Sequence, residues 1–409
     1  MQESQDKLKS FGATSIEEDR HESSQGNSWK LLLAACSRYL NPGGYSSRES
    51  LCGRVDWNAL PALANQHGVS SLLHQALPGL DDFVPAATLE TLHAAYQQNV
   101  HKTLFLAREL IRILDCLEGL GAEALAYKGI VLAEMYYGDM AMRPAGDLDV
   151  FVHAKDVARM KSAVRDLGYT PRLAIPENAC ASYLWSGYEC TFDGTSGKNL
   201  LELQWALQPR FYAADYDMQG LFARAVEARA AGRAVKTPCA EDLLLVLSLH
   251  AAKHAWGRLI WLCDIARILR QENLNWTWIE EQSRELHIER ILHITLGLIH
   301  RFFRVEIPTA AQEAVAADRA TQALIDEIAS SVRAGVEYEE EKISYFRLMM
   351  RLRERRWDRV RFAARLAFTP GPGEWQAVRL PQPLFPLYRI VRLARLAARI
   401  VRQPGSHAG

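Results

Sequence analysis

Residues 87–120 carry a long amphipathic helical pattern that ends at Gly119 and Gly121, and directly after it the period of the sequence changes. Ala124-Leu125-Ala126-Tyr127 is a short apolar run that stops at Lys128-Gly129, and Asp147 to Val152 (Asp-Leu-Asp-Val-Phe-Val) has the composition of a strand. A chain that switches this abruptly from helical to strand periodicity has to place a small sheet against helices.

The chain divides on that basis. Residues 1–28, rich in Ser, Glu, Gln and Gly, read as a disordered lead-in. Residues 29–120 read as helical: Trp29 to about Leu40, a break at Gly43-Gly44 and Ser46-Ser47, two short helices within Asp56–Leu77 joined near Gly68, then the long stretch. Residues 121–236 hold an α/β core: a helix over Ile130–Tyr137 stopped by Gly138, the strand at 147–152, a helix over Lys155–Leu167 closed by Gly168, and strands at Tyr188–Phe192 and Asn199–Trp205. Thr237-Pro238 starts a helical region, 237–340, and 341–409 forms an Arg-rich tail broken at Pro370-Gly371-Pro372-Gly373. The expected class is α+β, a short mixed sheet with helices, flanked by helical regions on both sides.

Composition narrows the function classes. Net charge is zero, so the chain as a whole has no bias toward nucleic acid. Seven cysteines are scattered with no C-x-x-C pair, which speaks against a structural zinc site, and the lack of a secretory pattern leads to the expectation of a reducing cytoplasm. No apolar run reaches the roughly 18 residues of a membrane span.

Asp147 and Asp149 are the residues that most suggest chemistry. Two apart on a strand, they share a face, with Cα atoms roughly 6.6–6.8 Å apart. Two carboxylates so placed repel unless a divalent cation lies between them, although a strand end with two solvated acids is also common. Around them are residues suited to phosphate: Lys128-Gly129 at a strand-to-helix turn, where glycine permits close approach and lysine adds charge, and Arg143, which can hold a phosphate bidentately or form an ion pair with Asp139 or Asp147. Glu202 alternates with Leu201 and Leu203, so it faces away from them, as a metal ligand, a general base or a rim charge.

His250 and His254 are i, i+4 on one helix face. That spacing suits zinc, with Asp264 as a further ligand, but Ala251 stands where a zincin has glutamate. The pair reads instead as core or interdomain histidines, or, with Lys253 and Arg258, as a contact to nucleotide or acceptor. The tryptophans nearby (Trp256, Trp261, Trp276, Trp278) read as core.

These blocks together resemble a family. Tyr127 to Tyr137 (Tyr-Lys-Gly-Ile-Val-Leu-Ala-Glu-Met-Tyr-Tyr), Arg143-Pro144, Gly146-Asp147-Leu148-Asp149-Val150 and Leu201-Glu202-Leu203-Gln204-Trp205 are similar to the signature of the bacterial uncharacterised nucleotidyltransferases, in the DNA polymerase β-like superfamily. Glu241-Asp242-Leu243 to His250, then Lys253-His254-Ala255-Trp256 to Asp264-Ile265-Ala266, resemble the helical segment of that family, and the likeness covers roughly residues 29–305. The chain departs from the superfamily in having Lys-Gly for Gly-Ser or Gly-Gly, Glu202 for Asp and Gln204 for His.

The resemblance implies a small nucleotidyltransferase core and transfer of NMP from ATP or another NTP to a hydroxyl-bearing acceptor, with release of pyrophosphate. It implies Asp147, Asp149 and Glu202 as ligands of two Mg2+ ions, replaceable by Mn2+, with Glu202 as the alternative general base. Lys128, Gly129, Arg143, Lys253 and His254 would meet the nucleotide. The acceptor stays open among small molecule, glycan, peptide and protein. The rival readings are a non-catalytic nucleotide-binding or scaffold protein retaining the fold, and a toxin-like transferase acting on protein or tRNA.

The tail has fifteen basic residues against four acids between Glu341 and Gly409. Tyr388–Arg402 repeats arginine every three or four residues with Leu393, Leu396, Ile400 and Val401 between, the pattern of a basic amphipathic helix. Residues 381–402 are therefore expected to dock on the acidic body or to lie on the anionic inner face of a membrane; nucleic acid is a weaker third choice, because aromatic residues are sparse there.

Overall fold

The computed structural model describes residues 26–40, 55–78, 83–173, 180–195, 197–336, 338, 342–378 and 380–402. Of the expected lead-in 1–28, residues 1–25 lie outside them and residues 26–28 are helical, and the Gly-Ser break at 43–47 also lies outside them. The chain opens with helices α1 (residues 26–40), α2 (Leu60–Gln66), α3 (Ser70–Ala76) and α4 (Ala86–Gly119). Gly68, at φ +70°, turns the chain between α2 and α3. Over its second half α4 buries Leu106, Leu110, Ile113, Leu114 and Leu117, one stripe at helical spacing. It ends where Gly121, at φ +64°, sends its N–H back to the Glu118 carbonyl at 2.8 Å.

The core follows as β1 (Ala124–Ala126), α5 (Gly129–Leu132) continued by a π-helical turn (Ala133–Tyr137), β2 (Asp147–Val152), α6 (Val157–Asp166), β3 (Thr170–Pro171), α7 (Cys180–Ser186), β4 (Glu189–Asp193) and β5 (Leu200–Gln204). The sheet order is β1-β2-β5-β4-β3. β2 and β5 run parallel and the other pairs antiparallel, which makes the sheet mixed.

Strand alternation divides the work of the two sheet faces. Leu148, Val150, Val152, Leu201, Leu203, Cys190 and Phe192 point to one side and pack on the apolar stripe of α4 and on Val157, Met160 and Val164 of α6. Full burial of each large apolar side chain here is worth about 1.5–3 kcal/mol. Their neighbours Asp147, Asp149, Glu202, Gln204 and Glu189 therefore face the opposite side, and the packing that secures the sheet also fixes where its acids point.

That opposite side is covered by the helical region. After α8 (Met218–Ala223), the hairpin strands β6 (Val226–Ala230) and β7 (Arg233–Thr237) lead into α9 (Ala240–Lys253). α9 buries Leu243 to Leu247, Leu249, Ala251 and Ala252, so it is an interior helix with apolar contacts nearly all round. α10 (Leu259–Gln271), α11 (Trp276–Glu285), α12 (Glu289–Phe303), α13 (Thr309–Ala317) and α14 (Arg319–Arg333) complete this region, and Trp256 is wholly buried in it, its indole N–H on Thr295 Oγ1 at 2.9 Å.

The tail forms α15 (Ile343–Arg351), α16 (Arg356–Phe368), α17 (Pro372–Ala377) and α18 (Tyr388–Arg402). Many of its arginines turn inward. Arg392 and Arg395 reach the buried carboxylate of Glu374 at 3.3 and 3.0 Å, and Arg361 and Arg365 reach Asp215 at 2.6 and 2.7 Å. Among the described residues, no helix is long and apolar enough to cross a membrane.

Candidate active site

The register of β2 against β5 places Asp149 directly opposite Glu202 on adjacent parallel strands, with Asp147 two residues before on the same face. One carboxylate oxygen from each of the three lies within 4.8 Å of the others. Like charge then acts on them. Asp149, followed by burial, pushes Asp147 up to about 6, and burial, followed by Asp149 and Glu189, pushes Glu202 up to about 8. Asp149 Oδ2 is buried and has no hydrogen-bond partner. A buried carboxylate oxygen left unpaired among two more carboxylates is costly, and this donor set of hard oxygens suits a divalent cation.

Lys128, just before α5 in the turn that follows β1, enters the same cluster. Its Nζ lies 2.8 Å from Asp149 Oδ1 and 4.8 Å from the centre of the Tyr127 ring. Burial alone would lower the lysine pKa, but Asp149, Tyr127, Asp147 and Glu202 outweigh it and hold the ammonium charged. Gly129 follows at φ +50°, and a Cβ on it would sit 3.3 Å from Ala145 Cβ and 3.5 Å from the Asp147 carbonyl oxygen. The glycine thus lets the turn lie close against the segment that delivers Asp147.

Arg143 lies in that segment and faces inward, buried. Its Nε and Nη2 donate to Oδ1 and Oδ2 of Asp264 on α10, each at 2.9 Å, and Tyr137 donates its hydroxyl to the same carboxylate at 2.8 Å. Its partner is neither Asp139 nor Asp147. Asp264 is correspondingly engaged away from the two histidines.

His250, Lys253 and His254 stand on the last turn of α9 and at its end, facing the sheet. The histidine rings are 4.8 Å apart, both within 5.3 Å of the Trp261 ring. Burial, followed by Lys253, lowers the pKa of His254 to about 3, and burial, followed by Lys128, lowers that of His250, so both rings are neutral. Ala255 and Trp256 follow at φ +49° and +52°, two successive left-handed residues that reverse the chain and carry Arg258 over Trp261.

Glu189 is the residue that sequence reasoning missed. Pairing of β4 with β5 sets it opposite Gln204. Gln204 Nε2 donates to Glu202 at 2.8 Å and to Glu189 at 3.3 Å, while its Oε1 accepts from Tyr127 at 2.6 Å. Tyr188 hydrogen-bonds Glu189 and accepts from Lys253 Nζ at 3.0 Å. The local signal, an acid alternating with the buried Cys190 and Phe192, is the same as for Glu202, but only the strand pairing brings Glu189 beside the other acids.

Two cavities open on this cluster. A small one of about 200 Å³ is lined by β4, β5 and α9, including Tyr188, Glu189, Glu202, Gln208, Val246 and Lys253. A groove of about 1140 Å³ runs along the other side, past Lys102, Gly146, Lys198, Arg258 and Trp261. Lys128, Asp147, His250 and His254 line both.

A family model described as "uncharacterised nucleotidyltransferase" matches residues 53–304. That span contains the three acids, the Lys128-Gly129 turn and all of α9. No curated protein and no solved structure matches the chain.

Proposed function

Because the chain belongs to the uncharacterised nucleotidyltransferase family, we propose that it moves NMP from an NTP to a hydroxyl-bearing acceptor and releases pyrophosphate, using two Mg2+ ions held by Asp147, Asp149 and Glu202. The observation that carries this reading is the convergence of three carboxylates within 4.8 Å around an oxygen with no hydrogen-bond partner. Divalent ions bound there supply charge neutralisation for the attacking and leaving oxygens of a phosphoryl transfer.

The protein's own groups do the rest by positioning. The acceptor oxygen attacks the α-phosphorus, the bond from that phosphorus to the bridging oxygen breaks, and the electron pair leaves with pyrophosphate. Glu202 completes one metal site or, as the alternative, serves on the acceptor side as the general base that takes the hydroxyl proton. Lys128 keeps Asp149 oriented and adds positive charge near the phosphates. Arg143 acts from behind: its pair with Asp264 ties the segment before β2 to α10 and so fixes Asp147 against the helical region. Lys253 and His254 face the bound substrates from α9.

The test combines Asp147→Asn with Asp149→Asn. The folded double variant should lose Mg-dependent pyrophosphate release and should bind Mn2+ more weakly than the parent when both are titrated by electron paramagnetic resonance; retained turnover would sink the assignment. Contact of 381–402 with an anionic membrane rests on the outward side of α18, where Ile390 is 61% and Leu393 40% exposed beside Arg389. Liposome flotation with and without these residues tests it, and unchanged partitioning would exclude it.

A further inference from the structure

The two cavities divide the residues around the acids unequally. Glu202, Glu189, Tyr188 and Lys253 line the small cavity and not the groove, whereas Ala145, Gly146, Lys198 and Arg258 line the groove and not the small cavity. Asp147 stands at the boundary, lining both. The compartments also differ in size. About 200 Å³ lies below the ~300–1,000 Å³ of pockets for drug-sized ligands. It excludes a nucleoside triphosphate. The groove, at about 1140 Å³ with Lys102, Lys198 and Arg258 along it, has the space and the cationic charge for one.

We infer that the small cavity is the acceptor subsite, and that the acceptor is a non-anionic, polyhydroxylated small molecule of about monosaccharide size rather than a protein or an RNA. This rests on the transferase reading above and narrows its substrate class. The chemistry of the lining carries it. Beyond Leu207 and Val246, the cavity is walled by carboxylate, amide, phenol, imidazole and ammonium groups, which match a molecule bearing several hydroxyls. With Asp147 and Glu202 taken up by the metal ions, Glu189 is the carboxylate that the lining leaves facing the acceptor. The two lysines are already engaged, Lys128 with Asp149 and Lys253 with Tyr188. An anionic acceptor would meet repulsion there. Tyr127, Gln204, Gln208 and Val246 are buried, so the far wall is closed by the fold itself, and Gln208 is fixed by its hydrogen bond to the Leu249 carbonyl at 2.9 Å.

The geometry also gives the direction of transfer. The acceptor hydroxyl approaches Asp147 from the Glu202 side and the α-phosphorus from the groove side. The new bond joins acceptor oxygen to α-phosphorus, the bond to the bridging oxygen breaks, the hydroxyl proton passes to Glu202 or, where Glu202 binds metal, to water, and pyrophosphate departs along the groove past Arg258 and Lys198.

The experiment uses the full chain, Mg2+ and α-labelled NTPs, with a cell extract split into a small-molecule filtrate and a macromolecular retentate, and with glucose, myo-inositol and glycerol as defined probes. Label should enter a small product formed from the filtrate. Val246→Phe and, separately, Leu207→Phe fill the cavity from α9 and from the loop after β5. Each should lower that transfer about a hundredfold through misplacement of the acceptor, while the rise in melting temperature on adding a non-hydrolysable NTP analogue stays as in the parent. Label appearing on protein or RNA of the retentate, or undiminished transfer by both filled variants while folded, overturns the acceptor assignment and leaves the transferase reading intact. Label in neither fraction overturns the transferase reading itself.

Discussion

Lys128 donates to one oxygen of Asp149 at 2.8 Å while the other oxygen of the same carboxylate, Oδ2, is buried without a hydrogen-bond partner. One side of Asp149 therefore has its counter-charge within the chain, and the other side is where an external cation would bind. Removing the ammonium leaves a buried carboxylate cluster with less compensation. Lys128→Met should destabilise the metal-free protein by about 3 kcal/mol. Bound divalent cation then becomes worth more to the folded state, because it offsets a larger repulsion. Melting curves with and without Mg2+ should show a larger metal-induced rise in the variant than in the parent. Equal rises would show that Lys128 and the metal do not share the charge of Asp149.

Arg143 offers a test that separates a structural role from a phosphate contact. Its guanidinium is buried in a two-point pair with Asp264, which also accepts from Tyr137. Arg143→Ala should cost about 3–5 kcal/mol in urea unfolding, since Asp264 is left charged and buried. Arg143→Lys should recover only part of this, because an ammonium cannot span both oxygens. A phosphate-binding arginine would behave differently: stability would hold and only nucleotide affinity would fall.

Gly129→Ala probes how closely the Lys128 turn must approach Asp147. The residue sits at φ +50°, a conformation that costs an L-residue roughly 1–2 kcal/mol. The added methyl also arrives 3.3 Å from Ala145 Cβ, so the segment before β2 has to give. Two effects should appear together: a lower melting temperature, and Mn2+ affinity reduced by displacement of Asp147. A melting shift with unchanged Mn2+ affinity would mean that the segment yields without moving the acid.

How much of this was legible beforehand differs by element. β2 occupies Asp147–Val152 and α18 Tyr388–Arg402, as their composition and period indicate. Gly138 does stop its helix, at φ +71°, but the last turn before it is π-helical, so Tyr136 and Tyr137 are set differently from a continuous α-helix. The hairpin β6–β7 was not visible. Its turn is Ala231-Gly232, both at positive φ, and Ala231 lacks the polar side chain that marks such turns. At the site, the shared face of Asp147 and Asp149 follows from strand geometry alone, whereas the place of Glu189 depends on β4–β5 register. The partner of Arg143 is 121 residues away, so no local pattern could have named it. Local period dictates which way a side chain points along its own strand; what lies opposite is settled by packing of the whole core.

His67 contributes to the pH dependence of the helical region, away from the acids. The ring is fully buried, neither nitrogen has a hydrogen-bond partner, and its centre is 5.3 Å from that of the Trp29 ring. Burial, followed by the charge of Arg258, lowers its pKa from 6.5 to about 4. The unfolded chain therefore binds a proton at pH values where the folded chain does not. This contribution to stability is fully present above 6.5 and is lost as pH falls from there through about 4. Its size over that window is about 3 kcal/mol. His67→Phe keeps a ring against Trp29, gives up no hydrogen bond and removes the ionisation. Unfolding free energies of the parent and the variant, measured at intervals from pH 7 down to 4, should diverge steadily, with the parent losing more. Parallel curves would mean that His67 gains access to water and protonates in the folded protein as readily as in the unfolded chain.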